Sequence, residues 1–327
     1  PMHTATRLAV AVLPRIKKIN NRAHLAFYGL YATINKAYLC DLGGETILSG
    51  EIEASLVRLY QGLTKRTGVQ EEDGIALSRQ SFRVPKRSGL PDLTRYAKLN
   101  FGFGQTKIVG YTEASRGCKH LCRHCPVVPV YRGRFFVVQR EVVLADVRQQ
   151  VEAGAEHITF GDPDFFNGPG HAIPLVESFH AEFPNNTYDA TIKVEHLLAH
   201  RGKLPILAKT GCLFVTTAVE EVDNNVLGRL EKRHTRADFV EAVGSARTAG
   251  LTLSPTFIPF HPWTTPSGYL DLLSMIIEMD LIENVAPVQL AIHLLIPEGS
   301  RILELAEMKN YLGDFDAEKL SYNWKSA

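Results

Sequence analysis

The sequence predicts an α/β fold: a partial (β/α)6 barrel that follows a mostly helical N-terminal segment. Two observations support this prediction. From about residue 106 onward, short apolar runs that fit β-strands alternate with amphipathic runs that fit helices. There are also six such strand–helix units, which predicts a parallel sheet with right-handed crossovers. Because six units are too few to close an eight-stranded barrel, we expect the barrel to be partial.

The predicted strands share a high content of apolar and β-branched residues. They cover residues 106–112, 156–162, 186–195, 212–220, 251–260 and 287–297. The runs between them predict amphipathic helices, several of which end at a glycine, namely Gly154, Gly211 and Gly250. Chemistry in such folds lies beyond the carboxyl ends of the strands, so the loops that follow each strand are the first candidates for a site.

The N-terminal residues 1–105 lack this alternation and are predicted to form a separate segment. Within it, residues 48–66 fit one amphipathic helix, and residues 84–93 fit a connector because they contain proline and glycine. Residues 106–297 would form the barrel, and residues 298–327 would begin a C-terminal extension. Pro1 before Met2 suggests a protease-cleavage remnant, and we expect a natural tail, with further cysteines, to follow the last residue.

The composition is that of an ordinary globular protein, with 45% hydrophobic and 22% charged residues. Lys and Arg total 36 against 35 for Asp and Glu, so the charge balance gives no sign of a nucleic-acid partner. No apolar run approaches the roughly 20 residues of a membrane span, and no secretory signal is visible. We therefore expect a cytoplasmic protein with no membrane partner.

Three of the five cysteines fall within eight positions, as Cys118, Cys122 and Cys125 in the pattern C-x-x-x-C-x-x-C. They follow the first predicted strand. Three interpretations exist: buried packing thiols, a structural zinc site completed by His120 or His124, and an iron–sulfur cluster. The spacing among basic residues disfavours the first, and the lack of a second Cys or His pair disfavours the second. Three thiolates on a four-iron cluster would leave one iron open for chemistry.

This pattern, after the first strand of a six-unit β/α chain, resembles the radical SAM superfamily over about residues 106–297. The resemblance implies a [4Fe–4S] cluster held by the three cysteines and S-adenosylmethionine (SAM) bound at the open iron. It also implies reductive cleavage of SAM, with an electron donor such as flavodoxin or ferredoxin. One difference is His124, which stands where many members have an aromatic residue. An imidazole can still stack on the adenine or hydrogen-bond to it.

The resemblance also implies a SAM-binding turn after the second strand, in the run FGDPD. Gly161 would let the backbone approach the cofactor closely. Asp162 or Asp164 would accept a hydrogen bond from the methionine ammonium. The alternative interpretation is that these acidic residues cap a helix.

Later strands supply further SAM-binding residues by resemblance. Lys193, predicted to share a strand face with Glu195, suits the methionine carboxylate, and the alternative is a surface ion pair. Glu220 matches a position that accepts from the ribose hydroxyls in relatives, and Glu221 replaces a serine of the family pattern. Lys232 falls where a cation often meets the methionine carboxylate. No further catalytic residue is identified.

Two additional cofactors, cobalamin and an auxiliary iron–sulfur cluster, are not expected. Cobalamin-binding members usually carry a D-x-H-x-x-G motif before the barrel, and residues 1–105 contain none. An auxiliary cluster needs more thiolates than Cys40 and Cys212 provide, and both are predicted to be buried packing thiols.

Longer runs resemble the radical SAM family named for a CUAEP or CCAEP C-terminal tail. These runs are residues 115–138, 157–172, 193–198, 232–239 and 255–265. Some members of that family accompany arsenic-handling genes. The resemblance therefore implies a small-molecule substrate such as arsenite. The implied reaction transfers the 3-amino-3-carboxypropyl group of SAM to trivalent arsenic, on the way to arsinothricin.

Two other functions compete with this one. The first is a radical SAM enzyme that generates a 5′-deoxyadenosyl radical to modify RNA or another small molecule. For RNA, the support is a local set of basic residues, Arg116, Lys119, Arg123, Arg132, Arg134 and Arg140. The second is a zinc-stabilised binding module without catalysis.

Overall fold

The computed structural model describes residues 3–65, 74–100 and 104–326. The chain separates into two compact units. The terminal unit comprises residues 1–80, 120–134 and 294–327, and the barrel unit comprises residues 81–119 and 135–293. Both units are discontinuous, whereas the sequence predicts boundaries at residues 105 and 297. Compactness alone does not test which segments fold as domains, so the predicted domains remain a prediction. Pro1 and Met2, on which the cleavage-remnant expectation rests, lie outside the described residues.

The strands are numbered in chain order. They are β1 (Ala26–Tyr28), β2 (Thr46–Gly50), β3 (Gly74–Ala76), β4 (Lys98–Asn100), β5 (Thr106–Thr112), β6 (Ser115–Gly117), β7 (Phe135–Val137), β8 (His157–Phe160), β9 (Thr187–Thr191), β10 (Cys212–Glu220), β11 (Thr252–Phe257), β12 (Leu312–Asp316) and β13 (Ser321–Trp324).

The helices are numbered in the same way. They are α1 (His3–Ile19), α2 (Leu30–Ile34), α3 (Lys36–Asp41), α4 (Glu53–Lys65), α5 (Val127–Tyr131), α6 (Arg140–Glu152), α7 (Pro169–Glu182), α8 (Val194–Ala199), α9 (Leu204–Lys209), α10 (Asn224–Arg229), α11 (Arg236–Thr248) and α12 (Pro266–Glu278). Within the described ranges, none of them is long and apolar enough to cross a bilayer.

The barrel unit contains a six-stranded sheet in the order β11–β10–β9–β8–β5–β4. From β5 to β11 every neighbouring pair is parallel, and β4 pairs antiparallel with β5 at the edge. Helices alternate with these parallel strands along the chain, as the sequence pattern requires. The predicted α/β class and the partial six-stranded barrel are confirmed.

One predicted strand, residues 287–297, is wrong. Pro287–Ala291 form a 3-10 turn, and among the described residues the segment that follows makes one isolated parallel bridge, between His293 and Phe260, outside the six-stranded sheet. An apolar run does not by itself distinguish a strand from another buried segment, and proline removes a donor that a sheet ladder needs. The sixth place in the sheet is taken by β4, at the opposite edge.

The core of the barrel unit lies between the sheet and the helices that follow its strands. Phe160, Phe179 and Tyr188 are fully buried there. Their rings meet edge to face, with centroids 5.5 Å apart for Phe160 and Tyr188 and 5.7 Å apart for Phe179 and Tyr188. Each such pair adds about 0.5–1.5 kcal/mol beyond the area it buries. This packing holds β8 and β9 against α7.

The terminal unit contains a small parallel sheet, in the order β1–β2–β3, that the sequence analysis missed. Its central strand β2 is buried, and the loop after it carries the buried Glu51. The Tyr131 hydroxyl of α5 donates to Glu51 at 3.0 Å, so α5 is tied to this loop. Three-residue strands such as β1 and β3 are too short to show a two-residue periodicity.

Cys40 corrects a second expectation, because it is exposed rather than buried. It lies in the last turn of the short helix α3, and the residue before it, Leu39, is fully buried. Successive helical residues point about 100° apart, so one takes the core side and the next points to solvent. Cys212 does lie in the core, and burial raises the pKa of its thiol.

The packing of α6 on β5 gives a test of the fold. A Cβ at Gly110 would lie 2.7 Å from Gln150 Oε1 and 2.8 Å from Ile158 Cδ1. Gln150 cannot yield freely, since its amide bonds the backbone of Tyr111 at 2.8 and 3.1 Å. We expect Gly110→Ala to lower the free energy of unfolding by about 1–3 kcal/mol in denaturant titrations.

A matched control is Gly244→Ala in α11, where the added methyl meets no atom within 4 Å. It should raise stability by about 0.5–1 kcal/mol through helix propensity. Equal stability of the Gly110→Ala variant and the parent would contradict the described contact between α6 and β5.

Candidate functional site

The cysteine loop begins directly after β6. Cys118 and Cys122 are buried, Cys125 is half-buried, and none of them is in a disulfide. Cys118 belongs to the barrel unit, and the other two belong to the terminal unit. The Cys122 carbonyl accepts from the Cys125 N–H at 3.2 Å, and the Cys125 carbonyl accepts from Val128 at 3.2 Å. The C-x-x-C half of the pattern is therefore a turn that leads into α5.

Asp162 lies just beyond β8 and is 3% exposed. Its Oδ2 accepts from the Ala114 N–H at 2.9 Å, and its Oδ1 accepts from the Ser115 hydroxyl at 2.5 Å. Burial raises the pKa of Asp162 to about 7, and its hydrogen bonds with Ser115 and Ala114 oppose this shift without cancelling it. Asp162 thus ties the segment between β5 and β6 to the end of β8.

A side chain at position 161 would not fit, because another group lies very close to the Gly161 backbone. That group is a protein side chain, Tyr111. A Cβ at this position would lie 2.0 Å from the Tyr111 hydroxyl. The same hydroxyl donates to Glu113 at 3.3 Å, and burial raises the pKa of Tyr111. The ring of Tyr111 therefore covers the backbone of the FGDPD turn.

Asp164 is completely buried and caps a turn, as the alternative interpretation of this run proposes. Its Oδ1 accepts from the Phe166 N–H at 3.1 Å, at the start of the 3-10 turn Phe165–Asn167. Its Oδ2 lies 2.7 Å from Nδ1 of His196 on α8. The carboxylate connects the turn after β8 to the helix after β9.

Lys193 differs from its predicted setting. The third predicted strand ends early, at Thr191, and Lys193 is the N-cap residue of α8. Glu195 therefore lies in the first helical turn and not on a shared strand face. The alternative ion pair is present, because the Lys193 ammonium lies 3.9 Å from Glu195 Oε2, but Lys193 is 4% exposed and the pair is therefore not at the surface. The ammonium donates to the carbonyl of Lys232 at 3.1 Å.

Glu220 and Lys232 form a buried ion pair at the end of β10. The Lys232 ammonium donates to Glu220 Oε1 at 3.2 Å, and the two residues are 2% and 7% exposed, respectively. Glu220 has a φ of 72°, in the left-handed region that few non-glycine residues adopt. Its carbonyl accepts from the Ile258 N–H at 2.9 Å, which helps to hold this conformation. Two buried charges in contact stabilise each other, since neither is solvated.

His234 joins this cluster and was not selected by the sequence analysis. It is 6% exposed, and neither ring nitrogen has a hydrogen-bond partner among the described residues. Burial, then the charges of Lys232 and Lys193, lowers the pKa of His234 to about 4. The imidazole is therefore neutral near pH 7 and offers one donor and one acceptor. We call Lys193, Glu220, Lys232 and His234 the lysine cluster.

A second polar group starts from the adjacent Glu221. Its Oε1 accepts from the Val222 N–H at 2.6 Å, and its Oε2 lies 3.0 Å from Nε2 of His261. His261 is 2% exposed, and its ring centroid lies 5.7 Å from that of Trp263. Glu221 appears in the sequence only as a departure from a family pattern. Its contact with His261, 40 residues later, has no local sequence signal.

His124 lies half-buried in the terminal unit. Its predicted contact with adenine stays a prediction, as do the SAM-binding roles assigned to Asp162, Asp164, Lys193, Glu220 and Lys232. The structure brings Lys193, Glu220 and Lys232 together in one cluster. It places Asp162 and Asp164 in the turn after β8, where each has protein partners.

A family model described as the radical SAM superfamily matches residues 112–276, half of the chain. The chain belongs to the radical SAM superfamily. Members are enzymes that bind a [4Fe–4S] cluster and SAM, and these are the cofactors of the chain. The donor set fits the cluster, because three reduced cysteines in one short loop provide the soft thiolates that iron–sulfur clusters require.

Two curated relatives match parts of this chain in sequence. The chain is 26% identical over 226 residues to the hopanoid C-3 methylase of Methylococcus capsulatus, covering 67% of this chain and 43% of that protein. It is 28% identical over 187 residues to the tRNA-2-methylthio-N(6)-dimethylallyladenosine synthase of Desulfosudis oleivorans, covering 54% and 38%. The chain spans less than half the length of both relatives.

Solved structures agree on the fold. The radical SAM methyltransferase TsrM from Kitasatospora setae, with tryptophan and a SAM analogue bound, gives a TM-score of 0.67 at 16% identity over 86% of this chain and 57% of TsrM. The cobalamin-dependent radical enzyme OxsB gives 0.67 at 15% identity over 98% of this chain and 55% of OxsB. At these identities the likeness establishes the fold alone.

The raised pKa of Asp162 predicts a pH-dependent stability. Its pKa lies above the ordinary value of 3.8 and reaches about 7, so the folded chain binds a proton that the unfolded chain releases. The associated stability is complete below about pH 4 and is lost as pH rises toward 7, at roughly 1.4 kcal/mol per pH unit. Asp162→Asn keeps the shape of the protonated acid, since Ser115 can accept as well as donate.

The quantity to follow is the unfolding free energy of the parent minus that of the Asp162→Asn variant. We expect this difference to decrease as pH rises from 5 to 7 and to level off above about pH 8. Chemical denaturation at each pH measures this difference, and the subtraction removes every other titrating group. A difference that stays constant with pH would show that Asp162 is ionised throughout.

Proposed function

We propose that this chain is the SAM-cleaving part of a group-transfer enzyme, with the [4Fe–4S] cluster held by Cys118, Cys122 and Cys125. The observation that carries the proposal is the spacing of three reduced, mostly buried thiols in the loop after β5 and β6. The names of the relatives, a hopanoid C-3 methylase and a tRNA-2-methylthio-N(6)-dimethylallyladenosine synthase, support transfer as the reaction type. When bound, the cluster supplies single electrons to SAM.

The lysine cluster is proposed to hold the polar ends of SAM. Lys193 and Lys232 provide two buried ammonium groups, which suit the methionine carboxylate. A carboxylate has about four acceptor sites, so Glu220 can accept from ribose hydroxyls while it also accepts from Lys232 at 3.2 Å. The neutral imidazole of His234 adds one donor and one acceptor. Water would be excluded from these contacts, since all four side chains are buried.

The FGDPD turn is proposed to bind SAM by accepting hydrogen bonds from it through a carboxylate. Each Asp162 oxygen holds one protein donor and has a further lone pair for the methionine ammonium. The oxygens of Asp164 face Phe166 and His196, so Asp164 is the weaker candidate. The half-buried His124 would serve the adenine.

The cluster assignment can be tested directly. Protein reconstituted without oxygen should bind about four irons per chain, and replacing Cys118, Cys122 and Cys125 with Ala should remove the iron and the visible absorbance. Cys40→Ala is the matched control, because it removes an exposed thiol outside the loop. Retention of iron by the triple variant, or zinc alone in the parent, would refute the assignment.

The RNA-modifying alternative has weaker support than the sequence indicates. Three of the basic side chains behind it lie beside carboxylates: Arg116 with Glu113 at 3.1 Å, Arg123 with Glu304 at 4.0 Å and Arg140 with Glu141 at 3.7 Å. Paired cations present less net charge to a phosphate backbone. We therefore propose a small molecule as the substrate, with a flavodoxin- or ferredoxin-type protein as the electron donor.

The resemblance to the CUAEP/CCAEP-tail family favours a second, more specific candidate: transfer of the 3-amino-3-carboxypropyl group of SAM to trivalent arsenic. The sulfonium has three C–S bonds, and the reacting bond is the one aligned with the electron source. In this candidate the lysine cluster anchors the amino-acid end, so its placement selects the bond between sulfur and the aminocarboxypropyl group.

The products distinguish the two bonds. Anaerobic incubation of reconstituted protein with dithionite, SAM and arsenite should give methylthioadenosine and an aminocarboxypropyl-arsenic compound, both detectable by mass spectrometry. 5′-Deoxyadenosine as the sole nucleoside product would exclude the arsenic candidate and retain the radical SAM assignment. Absence of both nucleosides from a preparation that carries four irons would refute SAM cleavage itself.

A further inference from the structure

Asn167 is a buried amide that none of the assignments above uses. It ends the 3-10 turn Phe165–Asn167 after β8 and is 0% exposed. The turn is held by Asp164, whose side chain accepts from Phe166 and whose carbonyl accepts from the Asn167 N–H at 3.0 Å. A buried amide side chain is costly unless it is hydrogen-bonded, so its partners indicate its role.

The partners of Asn167 are three consecutive residues of the cysteine loop. Its Oδ1 accepts from the Lys119 N–H at 3.1 Å, and its Nδ2 lies 3.4 Å from the Gly117 carbonyl. The same Oδ1 lies 3.8 Å from the sulfur of Cys118. All of these residues belong to the barrel unit.

The orientation of the amide follows from these neighbours. A backbone N–H can only donate and a carbonyl can only accept, so the oxygen of Asn167 must face Lys119 and the nitrogen must face Gly117. The oxygen is therefore the atom directed at the Cys118 sulfur. Aspartate could not donate to Gly117, and alanine could reach neither partner.

We propose that Asn167 is a positioning residue for the first cluster ligand: it fixes the backbone on both sides of Cys118 and lowers the reduction potential of the cluster. The inference rests on the proposed cluster site. The amide oxygen carries a partial negative charge beside a sulfur that would bear negative charge as a ligand. An added electron increases that charge, so the oxygen disfavours reduction.

Other contacts show that the loop is held on its upstream side as well. Asp162 binds Ala114 and Ser115, two to three residues before Gly117. The Lys119 ammonium lies 4.9 Å from the ring centroid of Phe135 on β7, which pairs with β6. The chain that carries Cys118 is thus anchored before, at and after the cysteine by groups within one unit.

Two substitutions separate positioning from electrostatics. Asn167→Asp keeps an acceptor for Lys119 and adds a full negative charge near the sulfur, so the midpoint potential should fall. Asn167→Ala removes the oxygen, so the potential should rise. We expect each shift to change the ratio of reduced to oxidised cluster about tenfold at a fixed potential, which equals 59 mV for a one-electron couple. Asn225→Asp, an exposed asparagine on α10, is the matched control.

The measurement is a redox titration of the anaerobically reconstituted chain, followed by electron paramagnetic resonance of the reduced cluster. Hydrogen-exchange mass spectrometry of the metal-free chain gives a second result: the peptide containing Lys119 should exchange faster in Asn167→Ala than in the parent and Asn167→Asp. If the alanine variant does not fold, the aspartate variant alone decides, and an unchanged or raised potential overturns the proposal.

Shifts of the same sign in both variants, or none, would also overturn the proposal while leaving the cluster assignment intact. A parent chain that binds no iron would instead refute the proposed function. These two failures are therefore distinguishable within one set of samples.

Discussion

Parallel pairing along one sheet edge is the constraint on which the barrel side of the site depends. In register, Thr112 of β5 pairs with Phe160 of β8, and Phe160 pairs with Ala190 of β9. The strands therefore end side by side, and the residues that follow them come close together. This one register accounts for their proximity, so no separate sequence signal is needed for each contact. A slip of one residue in any pair would exchange the two faces of a strand and direct its buried aromatic rings away from the core. The aromatic packing around Tyr188 and the position of the FGDPD turn are thus two results of one register.

The carboxylates and ammonium groups of the site are buried, so their charges or lone pairs need partners inside the protein. Asp162 remains largely protonated below pH 7 and hydrogen-bonds the backbone, whereas Glu220 is paired with Lys232. The contrast has a physical basis: Glu220 has a cation within reach, and Asp162 has only neutral donors. An anionic ligand group entering the lysine cluster would meet two ammonium groups that are already desolvated. Folding has already removed water from those cations, so ligand binding includes less of their unfavourable desolvation free energy.

Sequence predicted the parts of the molecule that depend on local periodicity. The bounds of β5 and β10 match their predicted runs, because each is a long apolar stretch between clear breaks. Lys193 was misplaced, since the alternation of TIKVE continues past the point where hydrogen bonding ends and α8 begins. The cysteine triplet can be recognised from the sequence because its three cysteines lie within eight positions. The contacts of Asn167 with Cys118 and of His261 with Glu221 join residues 49 and 40 positions apart, so only the folded chain shows them.

The end of β10 explains how one strand supplies two polar groups. In a regular strand, neighbouring side chains point to opposite faces, and one of two successive glutamates would normally reach solvent. Here the register with β11 shifts between Ala218 and Glu220, and Glu220 takes a φ of 72°. This bulge turns the backbone so that Glu220 reaches Lys232 while Glu221 reaches His261, with both carboxylates buried. A left-handed glutamate costs on the order of 1–3 kcal/mol, which glycine would avoid. Glycine would also remove the partner of a buried ammonium, which is the larger loss. The strain is therefore retained because the ion pair requires that side chain at that place.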